Sequence, residues 1–172
     1  MQVIAERFFV DEDHHPYEGE LAQVLRTYDR KNQMRPVAIK LFREGSLDTR
    51  VVLEAFAREC ESLAKVSGHV NIVPLVDHGT DPESGRKYIA LEWAESNLLE
   101  LVRRQPVSDW DAFYERFGAS ILDALAFAFA NDVMHRDVKP QNVLIDAAGT
   151  PLSPAPRGSS RWTTARERTA AR

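Results

Sequence analysis

The sequence predicts an α+β chain, strands with one helix followed by further helices. Three stretches carry this reading. Val37-Ala38-Ile39-Lys40-Leu41-Phe42 reads as a strand: side chains alternate, so Val37, Ile39 and Leu41 share one face and Ala38 and Lys40 the other. Leu47 to about Val66 has the apolar spacing of a helix, with Ser46 as its cap and Gly68 just past its end. Ser108 to about Phe129 reads as a long helix whose inner face is Phe113, Phe117, Ile121, Leu125 and Phe129 or Ala128.

The remaining elements follow in order. Arg7 to Val10 is a first strand. Pro16 to Val24 is a turn region, and its neighbours His14 and His15 read as a solvated loop. Val24 to Tyr28 is a second strand. In the first helix the apolar stripe is Val52, Phe56, Leu63 and Val66, and Glu59 falls on that stripe. A carboxylate there is costly unless paired, and Lys40 is the available cation. Glu54 and Glu61 lie off the stripe, and Cys60 reads as a packing residue. Asp81 to Arg86 is a turn, Lys87 to Glu92 a strand and Leu98 to Arg103 a short helix ending before Pro106. Ser108 with Asp111 resembles a capping box. Asp146-Ala147-Ala148-Gly149 is a hairpin turn by composition.

Composition bounds the function. The 172 residues suffice for one domain with a core. A net charge of −4 suggests no nucleic-acid or anionic-membrane role. No run reaches the length of a membrane span, and the N-terminus lacks the layout of a signal peptide. A single cysteine suits a reducing, cytoplasmic setting. From Thr150 on, five arginines face one acid, Glu167. That balance of +4 leaves the rest of the chain at −8 and marks a boundary near Gly149.

The chemistry concentrates in His135-Arg136-Asp137-Val138-Lys139-Pro140-Gln141-Asn142, between the apolar run Ile121 to Phe129 and the strand Val143-Leu144-Ile145. The loop supplies a carboxylate, a cation and a carboxamide. Phosphoryl transfer needs these types: one to take a hydroxyl proton, one to meet phosphate charge, one to offer oxygen to Mg²⁺.

His135-Arg136-Asp137-x-Lys139-Pro140-x-Asn142 resembles the catalytic loop of the eukaryotic-type (Hanks-type) serine/threonine protein kinases, Lys139 being the serine/threonine form. Val-Ala-Ile-Lys at 37–40 is similar to a second kinase signature. The resemblance implies a protein-kinase-like bilobal fold: a complete N-lobe, an antiparallel sheet plus one helix with a strand at Asn71 to Asp77, and an incomplete helical C-lobe. Residues 1–94 would form the N-lobe and hinge, 95–149 a partial C-lobe, and 150–172 a disordered basic tail. It implies ATP and Mg²⁺ as cofactors and a protein substrate. Asp137 is then the base, Lys139 neutralises γ-phosphate charge and Asn142 binds Mg²⁺. Lys40 holds the α- and β-phosphates and Glu59 fixes Lys40. Ala38 meets the base, Leu91 is the gatekeeper, and Glu92 and Ala94 offer hinge backbone groups to adenine.

Tyr17, Gly19, Ala22 and Val24 stand where kinases carry G-x-G-x-x-G-x-V, so only Gly19 and Val24 match. The Asp-Phe-Gly motif is expected near Ala155-Pro156-Arg157, yet no Asp follows Asp146. The prolines at 151, 154 and 156 argue against a ladder strand there. The match therefore covers roughly Phe8 to Thr150. A frameshift or early stop near codon 150, impaired catalysis and exposed apolar surface inviting a chaperone are the corresponding expectations. The rival is a non-catalytic module that binds a nucleotide or a partner kinase. A small-molecule phosphotransferase resembling the aminoglycoside kinases comes third, since those usually show Gly and His where this chain has Arg136 and Lys139.

Overall fold

The computed structural model describes residues 2–43, 49–135 and 137–153. The chain divides into two compact units. Among the described residues, the first comprises those up to Cys60 and Leu75–Trp93, and the second comprises Glu61–Pro74 and 94–153.

The first unit is an antiparallel sheet of β1 (Val3–Ile4), β2 (Phe8–Val10), β3 (Tyr17–Glu18), β4 (Ala22–Asp29), β5 (Arg35–Phe42), β6 (Leu75–Thr80) and β7 (Lys87–Glu92). The spatial order is β1-β2-β4-β5-β7-β6, with β3 hairpinned onto β4. Alternation sorts its side chains as expected. Val37, Ile39 and Leu41 join Ile4, Phe8, Leu25, Tyr88 and Ala90 in one core. The other face carries Val24, Ala38, Lys40, Phe42 and Leu91. Helix α1 (Thr49–Lys65) meets that second face, with Phe56 edge-on to Phe42 at 5.5 Å. Its buried stripe is Val52, Ala55, Glu59 and Leu63, while Glu54 and Glu61 are exposed. The proposed cap, Ser46, lies outside the described residues.

Two expectations need correction here. The sequence reading found no strand before Arg7, but β1 is there. Its turn to β2 places Ala5 and Glu6 at φ 51° and 54°, with no glycine to announce it. The Asp81 carboxylate secures that turn by accepting from Ala5 N at 2.8 Å. Asn71 to Asp77 is not one strand, because β6 starts only at Leu75. Pro74 has no N–H for a ladder, and Ile72 instead bridges Ser153.

In the second unit a small antiparallel sheet holds β8 (Ser96–Asn97), β9 (Leu144–Ile145) and β10 (Pro151–Leu152) in the order β10-β9-β8. Asp146 to Gly149 forms the expected hairpin turn: Asp146 Oδ1 accepts from the amides of Ala148 and Thr150, and Gly149 takes φ +83°. The reading of the chain from Pro151 as disordered fails for residues 151–153. Pro151 opens β10, where its missing N–H is tolerated, and Ser153 N donates to Asn71 O. Residues 154–172, including the Asp-Phe-Gly register at 155–157, lie outside the described residues.

Helix α2 (Leu98–Arg104) is capped by Asn97, whose side chain accepts from Glu100 N. The long helix is not uniform. It comprises α3 (Trp110–Phe113), a π-helical turn (Tyr114–Gly118) and α4 (Ala119–Ala130). The extra residue per turn shifts the inward face. Phe113, Phe117 and Ile121 pack with Leu98, Val143 and Ile145, as the reading expects. Beyond the π-turn, Ala124 and Ala128 turn inward against Val66, Ile72 and Val133, and Phe129 is 72 % exposed. Of the two alternatives for that inner position, Ala128 is the buried one. The cap also differs: Asp109, not a Ser108–Asp111 box, accepts from Ala112 N, while the Ser108 hydroxyl donates to Asp109. The Ala112 amide leads in holding the Asp109 carboxyl below its ordinary range.

Candidate phosphotransfer residues in the two units

On the second face of the large sheet, the register lines up the predicted residues. Val24 pairs with Lys40, and Ala38 with Leu91. Val24, Ala38 and Leu91 are buried, so the wall around Lys40 is apolar. Lys40 itself is 1 % exposed and ion-paired with Glu59, which the α1 stripe carries to the sheet. An ammonium out of water needs such a partner. The Lys40 ammonium also lies 5.3 Å from the Phe42 ring centre. Next to this pair, Cys60 is half-buried, and burial with the Glu59 charge pushes its thiol up to about 11. It stays protonated at neutral pH, in line with a packing role.

Gly19 sits in the β3–β4 turn. Its amide donates to Ala22 O at 2.9 Å, and its carbonyl accepts from Arg43 Nε at 3.2 Å. Arg43 also pairs with Glu18. Leu21 and Ala22 are buried at this turn. Glu92 ends β7 with its carboxylate on Arg35, and Ala94 is half-buried in the second unit.

Reading the sequence did not foresee a cluster built on Trp93. The His14 ring stands edge-on to Trp93 at 5.2 Å, so His14 is not simply solvated. His14 Nε2 lies 3.1 Å from Tyr17 Oη. The Arg26 guanidinium lies 5.3 Å from Trp93 and 5.5 Å from Tyr28. Asp11 holds both Arg26 and Tyr28, at 3.2 and 3.1 Å. The aromatic residues and Arg26 were visible in the sequence, but no spacing rule links six positions from 11 to 93.

In the second unit the loop residues converge. Asp137 Oδ2 accepts from Asn142 Nδ2 at 2.8 Å and lies 3.0 Å from Lys139 Nζ. Asn142 Nδ2 also donates to the Asp137 carbonyl at 2.7 Å. A short 3₁₀ turn, Pro140–Asn142, causes this: proline supplies the helical φ at its start, and Asn142 N returns to Lys139 O. Asn142 is 1 % exposed and rigidly oriented, whereas the Asp137 side chain keeps 40 % exposure. His135 is buried, and its carbonyl accepts from Asp137 N at 2.9 Å. The exit strand is anchored through Leu98 N to Val143 O and Glu95 N to Ile145 O. Arg136 lies outside the described residues.

Asp137 and Asn142 are hard oxygen donors of the kind Mg²⁺ takes, alongside water and phosphate oxygens. Among the described residues no group of three or more His, Cys, Asp or Glu could hold a metal by itself. No helix among them is long and apolar enough to cross a membrane.

Known proteins resemble this chain in sequence. The family model of the protein kinase domain matches residues 18–153. The probable serine/threonine-protein kinase PknB of Lactococcus lactis is 34 % identical over 134 residues, covering 77 % of this chain and 21 % of that protein. The serine/threonine-protein kinase PknK of Mycobacterium tuberculosis is 36 % identical over 118 residues, covering 68 % and 10 %. The serine/threonine-protein kinase PrkC of Bacillus subtilis is 32 % identical over 117 residues, covering 67 % and 17 %. The matched part is thus about a fifth or less of each of these relatives.

Proposed function

The chain belongs to the protein kinase domain family, and from that membership we propose that it takes part in ATP-dependent transfer of a phosphoryl group to Ser or Thr hydroxyls of proteins. The observation that carries this reading is the Asp137–Lys139–Asn142 constellation, three unlike side chains brought together on one carboxylate oxygen. Asp137 orients the acceptor hydroxyl and takes its proton, and its exposure leaves it reachable. Lys139, 32 % exposed, meets γ-phosphate charge. Asn142 holds Asp137 in place and offers its carboxamide oxygen to Mg²⁺, which supplies charge neutralisation when bound.

In the first unit Lys40 binds the α- and β-phosphates with its position set by Glu59. Val24, Ala38 and Leu91 form the base-binding wall, Glu92 and Ala94 the hinge contacts, and Gly19 a backbone contact to phosphate. We assign residues 1–94 to the N-lobe and hinge and 95–149 to part of the C-lobe. The substrate is a protein, the setting cytoplasmic, and a partner kinase or chaperone is the expected company.

The second reading is a nucleotide- or partner-binding module without turnover. One observation favours it: Tyr17 and Ala22 replace loop glycines in a hairpin tied down by Arg43. The deciding experiment is transfer of radiolabelled γ-phosphate from ATP to casein by the chain and by its Asp137→Asn variant. Removing the base should lower the rate about 10²–10⁴-fold. Equal turnover in both proteins would overturn the role of Asp137. Nucleotide binding with no turnover in either would establish the second reading.

A further inference from the structure

We infer that Tyr17 is a gate on the base-binding face, latched by His14 against Trp93. This rests on the proposed nucleotide reading of that face. The placement comes from strand register. Tyr17 pairs with Val24, and Val24 with Lys40, so the three side chains share one row on one face. In the next row Arg26 pairs with Ala38, and Ala38 with Leu91. A glycine at position 17 projects nothing over this face, whereas a tyrosine projects a ring.

The structure holds the latch as well. Tyr17 Oη and His14 Nε2 are 3.1 Å apart, and their ring centres 5.6 Å apart. His14 stands edge-on to Trp93, and Arg26 lies against that same indole. The cluster of Tyr17, His14, Trp93 and Arg26 thus adjoins, by register, Ala38 and Leu91, two of the residues assigned to the base. The hairpin tip is tied from the opposite edge by Arg43, on Gly19 O and Glu18. The closed cluster is also poised to open. Arg26 Nε and Trp93 Nε1 are both buried without a hydrogen-bond partner among the described residues. Separating the rings lets water reach both donors, which offsets part of the loss of stacking.

A gate that is mostly closed lowers apparent affinity by the fraction of open molecules. The test is calorimetric titration of adenosine and of Mg-ATP into the wild-type chain, Tyr17→Gly, Tyr17→Ala, Tyr17→Phe and His14→Ala, each first shown by thermal melting to be folded. With the gate shut in about nine molecules of ten, Tyr17→Gly and Tyr17→Ala bind adenosine about tenfold tighter. His14→Ala and Tyr17→Phe both remove the hydrogen bond between Tyr17 Oη and His14 and tighten binding, less than Tyr17→Gly because the ring at position 17 remains. Adenosine also shifts a tryptophan emission component that is absent in Trp93→Phe. Equal affinity in wild type, Tyr17→Gly and Tyr17→Ala, or weaker binding in both variants, overturns the gate while leaving the nucleotide face intact. Failure of every protein to bind adenosine or Mg-ATP overturns the nucleotide reading itself, and the gate with it.

Discussion

The Lys40–Glu59 pair is closed off from water, with side-chain exposures of 2 % and 5 %, whereas Lys139 and Asp137 keep 32 % and 40 %. Both couple a lysine to a carboxylate, yet their energetics differ. Taking two charges out of water costs several kcal/mol per ion, so a buried lysine and carboxylate hold together or not at all. In the exposed pair water already solvates each partner, and the net contribution is small. The buried pair is therefore a fixed part of its unit. The exposed pair can exchange partners without that cost, which the roles proposed for Asp137 and Lys139 require.

The comparison can be broken most directly at Lys40. Lys40→Met leaves Glu59 buried and unpaired, and should destabilise the chain by about 3–5 kcal/mol in urea unfolding. The double variant Lys40→Met/Glu59→Leu should recover most of that loss. Recovery would show that the pair serves position rather than stability. No loss in the single variant would show that water reaches Glu59.

A third pair lies between the extremes. Arg7 grips Asp29 through two hydrogen bonds of 2.7 and 2.6 Å, with Asp29 fully buried and Arg7 19 % exposed. The hydrogen bonds from Arg7 lead in holding the Asp29 carboxyl below its ordinary range, against the effect of burial. A folded pKa below the unfolded one gives stability that is complete above the ordinary carboxylate value, about 4, and fades as pH falls through the folded value. Arg7→Leu should cost about 2–3 kcal/mol at neutral pH, discounted from the fully buried case for its exposure. It should also flatten the loss of stability below about pH 4. An unchanged acid limb in pH-dependent melts would remove Asp29 from the account.

Smaller effects sharpen the contrast. Asp109→Ala should lower the urea midpoint by removing the α3 cap, and Ser108→Ala should lower it clearly less. Lys139→Ala should change stability by under about 1 kcal/mol while lowering phosphotransfer strongly. A stability loss as large as that of Lys40→Met would mean that the loop pair is structural too.

The sequence made the chemistry legible where it is local. Asp137, Lys139 and Asn142 lie within six positions, and a proline-initiated turn is enough to aim them at one another. Alternation placed Val37, Ile39 and Leu41 opposite Lys40, and helical spacing placed Glu59 on a buried stripe. A buried lysine facing a buried carboxylate then leaves few alternatives to pairing. Local signals misled where they competed. Ser108 and Asp109 are both good caps, and only the backbone entering α3 selects the aspartate. Proline at 151 spoke against a strand, yet a strand's first position needs no donor there.

What the sequence determined by itself was the kind of parts: strands with a two-residue period, an amphipathic helix, and an acid, a cation and an amide in one short loop. Those follow from covalent neighbours and from side-chain periodicity, which act over a few residues. Only the tertiary structure decided the rest. It turned Ala124 and Ala128 inward past the π-turn, left Phe129 exposed, and gathered Asp11, His14, Tyr17, Arg26 and Trp93 into one cluster. Each of those outcomes depends on which distant surface is available to pack against, and no local pattern carries that information.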